Sequence, residues 1–111
     1  MELWEMEFDE TKIQPTMRKV CRWLRSNGYV TTDSGDGVIN VLAGMEGALD
    51  RPHVFMQVGS PYDGVRSAQG LLKLCQEKGL AEGYRIEYLY SPIDGVGVLA
   101  LYGVSDAQMP E

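Results

Sequence analysis

The chain has 111 residues, the length of one domain with its own core. Hydrophobic residues make up 44% and charged residues 23%, ordinary globular usage that excludes a disordered tail, a collagen-like repeat and a disulfide scaffold. Sixteen acids against ten bases leave a net charge of -6, which disfavours direct binding to nucleic acid or to an anionic membrane, and no apolar run is long enough for a membrane span.

Residues 3–8 alternate, with Trp4, Met6 and Phe8 on one side and Glu5 and Glu7 on the other. That pattern predicts a short half-buried strand, or an acidic segment that orders on a partner. The first ten residues hold five acids and no base, and no apolar h-region of a secretory leader.

A helix is predicted over 15–27. Pro15 suits its first turn, and Thr11 to Gln14 has capping-box spacing. Met17, Val20, Cys21 and Leu24 form an apolar stripe at i, i+3, i+4 and i+7. Asn27-Gly28 is the stop, because glycine takes the left-handed conformation freely. Arg18, Arg22 and Arg25 fall on one line of this helix. They are candidate ligands for a nucleotide or phosphate, although a solvated helix back paired with the acidic N-terminal segment is the favoured reading.

Tyr29–Thr32 is β-prone, and 33–37 (Asp-Ser-Gly-Asp-Gly) predicts a turn. Val38–Leu42 would return as the partner strand of a hairpin, and 43–52 reads as a loop. Asp33 and Asp36 are close enough to suggest a Mg²⁺ or Ca²⁺ site, but glycines at 35 and 37 remove the EF-hand ligands, and aspartate in such turns usually caps backbone groups. The Gly35-Asp36-Gly37 run lacks the Lys-Ser/Thr of a phosphate loop.

His53–Val58 is the best strand candidate, with the near-continuous apolar character of a central strand. His53 is the only histidine. No Gly-x-Ser-x-Gly elbow accompanies it, and a zinc site would need further ligands at recognisable spacing. Ser60-Pro61 then opens a second helix, with Val65, Ala68, Leu71, Leu72 and Cys75 as its buried face. Gly64 and Gly70 cost that helix about 1 kcal/mol each relative to alanine, so they are candidates for close helix–sheet approach. The two cysteines, Cys21 and Cys75, read as buried thiols of a reducing cytoplasm, with a disulfide between them as the open alternative.

Residues 84–90 and 96–102 predict a hairpin turning at 91–95. Tyr84, Tyr88, Tyr90 and Tyr102 cluster on this hairpin, and the first three share one parity that would form an aromatic face. The tail 105–111 is expected to fray. Helix, Gly-Tyr, β-run and Asp-Gly-Val occur twice, at 28–38 and 83–96, an echo of an αββ unit. The expected fold is therefore a single α+β domain: a four- or five-stranded, mainly antiparallel sheet with two helices on one face.

The stretch Cys21-Arg22-Trp23-Leu24-Arg25-Ser26-Asn27-Gly28-Tyr29-Val30-Thr31-Thr32-Asp33-Ser34-Gly35-Asp36-Gly37 resembles short proteins of tailed phages and prophages. The resemblance covers about half the chain and carries no catalytic residues. It implies a small acidic inhibitor of a host complex, as in the anti-CRISPR class, working in the bacterial cytoplasm without cofactor or metal. The expected partner is a host protein with a basic surface, and Glu5, Glu7, Asp33, Asp36, Glu46 and Asp50 are the expected contacts. The competing readings are ligand sequestration by Arg18, Arg22 and Arg25, a metal-assisted enzyme built on Asp33, Asp36 and His53, and a structural phage protein. A homodimer is compatible with each.

Overall fold

A computed structural model of the chain describes residues 10–37, 51–58, 61–80, 82–93 and 95–110. The expected strand over 3–8, the return strand over 38–42 and the Ser60 cap lie outside the described residues, as do Glu5, Glu7, Glu46 and Asp50.

The first helix begins as a 3₁₀ turn at Pro15–Met17 and becomes α-helical (α1) over Arg18–Ser26. Met17, Val20, Cys21 and Leu24 are fully buried, as the stripe requires. Gly28 ends it in the left-handed region, at φ 89°. The cap of α1 comes from the far end of the chain. The Asp106 carboxylate accepts hydrogen bonds from the Lys19 and Val20 N–H groups, at 3.1 and 2.9 Å, where a helix start leaves donors without partners. The side chain of Gln14 accepts from the Asp36 N–H at 2.8 Å.

Strand β1 covers Val30–Gly35, β2 His53–Val58, β3 Arg85–Ser91 and β4 Val96–Tyr102. They form one antiparallel sheet in the order β1-β2-β4-β3. The expected turn at 33–37 starts late, because the chain stays extended through Gly35. A bulge between Thr31 and Asp33 absorbs the irregularity, and Gly35 pairs with His53. A Cβ on Gly35 would lie 3.0 Å from the His53 ring, so glycine lets the two strands meet there. The described partner of β1 is β2, and the second strand of the αββ echo falls among residues not described.

Helix α2 spans Pro61–Lys78 and lies mainly over β3 and β4. Both helices pack on the same face of the sheet. Val20, Leu24, Leu71 and Cys75 share one core with Val54 and Met56 of β2 and Leu99 and Leu101 of β4. The buried face of α2 is rotated from expectation: Gly64, Leu71 and Cys75 point in, while Val65 and Leu72 are 50% and 45% exposed. The tail does not fray at 105, since Val104 and Met109 are buried in the core and a 3₁₀ turn at Asp106–Gln108 presents the α1 cap. The thiols of Cys21 and Cys75 are buried and free. Among the described residues, no helix is long and apolar enough to cross a membrane.

Candidate functional site

The two described acids of the expected contact set lie at one end of β1. Asp33 is exposed, and its Oδ1 accepts from the Ser34 N–H at 2.9 Å. Asp36 is half-buried, and its Oδ2 accepts from the Thr16 hydroxyl at 2.8 Å. Asp33 thus takes up the N–H of its neighbour, whereas Asp36 ties the end of β1 to the 3₁₀ turn that opens the first helix. His53 is buried beside this end. Its Nδ1 faces the Arg51 carbonyl at 2.9 Å, and its ring leans on Phe55 with centroids 5.3 Å apart. Among the described residues, no group of three His, Cys, Asp or Glu side chains could hold a metal ion.

The arginine line does not survive folding as one exposed row. Arg25 is only 8% exposed. Its Nε donates to the Thr31 Oγ1 and one terminal nitrogen to the Thr31 carbonyl, each at 2.7 Å, which locks α1 to β1. The Nε of Arg18 donates to the Ile13 carbonyl at 2.9 Å, and Arg22 lies exposed. Helical spacing placed the three correctly, but only the arrival of β1 beside α1 reveals that Arg25 faces inward.

The tyrosines separate as well. Tyr84 and Tyr88 pack against the core on the helix side, and Tyr88 lies beneath Gly64 of α2 with its hydroxyl buried and, among the described residues, without a hydrogen bond. Tyr102 points to the opposite face. There Phe55 meets it edge-on at 6.2 Å, and the Arg85 guanidinium sits 5.0 Å above its ring while pairing with Glu87 at 3.3 Å. This aromatic and ionic cluster, on the face opposite the two described helices, was missed from sequence. Its signal, odd-numbered residues on β2 and β3 sharing a face, has no meaning until the order places β4 between them.

Burial is the largest cause of the acid–base shifts of two cysteines and four tyrosines. It pushes the Cys21 thiol up, the Cys75 thiol up to about 11, and the Tyr29, Tyr84, Tyr88 and Tyr102 hydroxyls above their ordinary range. Shifts of this sign make both cysteines poor nucleophiles near neutrality.

Comparisons with protein-family models, with curated proteins and with solved structures find no match for this chain.

Proposed function

We propose that the chain is a non-catalytic protein-binding module that sets its acidic surface against a basic patch on a nucleic-acid-handling complex and blocks it by bulk and charge. An inhibitor of a bacterial defence complex, encoded by a phage and acting in the host cytoplasm, is the specific form of this reading. The observation that carries it is the charge of -6 on 111 residues, which speeds encounter with a cationic surface and repels nucleic acid. The exposed Asp33, at the edge of the sheet among the described residues and held by the Ser34 N–H, adds support.

The test is capture from a bacterial lysate at low and high salt. The wild type is compared with a variant carrying Glu5→Lys, Glu7→Lys, Asp33→Lys, Asp36→Lys, Glu46→Lys and Asp50→Lys, its fold checked by circular dichroism. The expected result is a stoichiometric protein that leaves the wild type at high salt and never binds the variant. Capture by the variant with unchanged salt dependence refutes the proposal. The phosphate-binding alternative is weaker, because the Arg25 fork is already committed to Thr31. A co-purified nucleotide in place of a protein would favour it.

A further inference from the structure

The two edges of the sheet are treated differently. At β1 the ladder is broken by the bulge between Thr31 and Asp33, the Thr31 carbonyl is taken by Arg25, and the strand end is tied down by Gln14. These are ordinary ways of stopping a sheet from growing. At β3 there is no bulge, and the pairing with β4 is regular from Arg85 to Ser91. Among the described residues, no strand lies on its outer side.

The flank of α2 above that edge is also unlike the rest of the helix. Its outward back carries Asp63, Arg66, Lys73 and Glu77. The flank toward β3 carries Val65, Gln69, Leu72 and Gln76, at i, i+4, i+7 and i+11, and has no charge. A groove of about 410 Å³ runs between this flank and the strand, lined by Ala68, Gln69, Leu72, Tyr84, Arg85 and Ile86.

We propose that this edge and groove are the interface of a homodimer, in which residues 85–87 of β3 pair antiparallel with the same residues of a second copy about a two-fold axis at Ile86, joining the two sheets edge to edge. An axis perpendicular to the sheet keeps both helix layers on the same side. Charge selects the register. With Ile86 on the axis, Arg85 of each copy stands opposite Glu87 of the other, so two opposite-charge pairs form. Centring on Arg85 or on Glu87 sets like charges opposite each other, and centring on Tyr88 leaves Arg85 facing Ser91. Distance fits as well. Each α2 lies over β3 and β4, so the axis brings the two copies of α2 to about two strand spacings, roughly 10 Å, which is ordinary helix packing. The uncharged flanks then meet, and Leu72 of each copy closes the groove of the other.

The dimer is independent of the acidic docking proposed above, and the variants separate the two, since neither Leu72 nor Arg85 belongs to the acidic contact set. The test is sedimentation equilibrium over a dilution series, with thermal melts confirming that each variant folds. The wild type should dimerise. Leu72→Glu, on an exposed flank, and Glu87→Arg should each weaken the dimer by about tenfold or more. The exchange of Arg85→Glu with Glu87→Arg should restore it. A chain that stays monomeric at every concentration, a dimer indifferent to Leu72→Glu, or an exchange no better than Glu87→Arg alone would overturn the proposal. A monomeric result leaves the lysate capture free to succeed.

Discussion

Two glycines in α2 should respond in opposite directions to the same substitution. A Cβ on Gly64 would lie 2.1 Å from a ring carbon of Tyr88, deep inside contact distance, whereas one on Gly70 meets only the Tyr29 hydroxyl at 3.2 Å. Alanine in a helix interior is worth about 1 kcal/mol over glycine. At Gly70, which is exposed, most of that gain should appear, less the small displacement of a hydroxyl that donates to the Ser67 carbonyl at 3.1 Å. At Gly64, which is buried, the Tyr88 ring must leave its place between α2 and β3, and overpacking of this kind costs about 1–3 kcal/mol. Net of the propensity gain, Gly64→Ala should destabilise by up to about 2 kcal/mol, or several degrees in Tm for a chain of this size. Gly70→Ala should be neutral or raise Tm by a few degrees. Urea unfolding and thermal melts at one protein concentration measure both. In a Tyr88→Ala background the clash is gone, and Gly64→Ala should become stabilising. The reasoning fails if Gly64→Ala is as stable as the wild type while Tyr88 is present, or if the cost survives removal of Tyr88.

Three further outcomes follow from contacts distant in sequence. Arg25→Ala should cost about 2–3 kcal/mol by chemical denaturation, because it leaves the Thr31 carbonyl and hydroxyl without the charged donor; Arg25→Lys should recover little, since an ammonium cannot reproduce the fork. Asp106→Ala should cost about 1–2 kcal/mol, and Asp106→Asn clearly less, as for any helix cap; backbone amide exchange at Lys19 and Val20 should quicken in the alanine variant. The Cys75 thiol, ordinarily at 9.0, is raised to about 11 in the fold. The unfolded chain therefore loses this proton first, and stability should be full below about pH 9 and fall as pH rises through 11, with the half-buried Tyr29 and Tyr84 steepening the loss. A pH series of melts on wild type and Cys75→Ala checks the sign, with the variant less sensitive between pH 9 and 11.

The stripe of Met17, Val20, Cys21 and Leu24, the apolar run of His53–Val58 and the turn between 91 and 95 are local patterns, and sequence alone determined them. Period and turn chemistry depend only on near neighbours in the chain. The acidic charge that carries the proposed function is likewise a property of composition. Tertiary structure decided what depends on distant partners. The 29–35 run stays extended because β2 pairs along it, beyond the point where its aspartates and glycines favour a turn. The face of α2 is set by Tyr88 pressing on Gly64, so an apolar period that runs through Val65 and Leu72 misplaces it. The tail holds because Asp106 satisfies N–H groups more than eighty residues earlier, between Lys19 and Val20. Even the candidate interfaces divide this way: the charges of Arg85 and Glu87 are written in the chain, but only the strand order puts them on an edge where a second copy can read them.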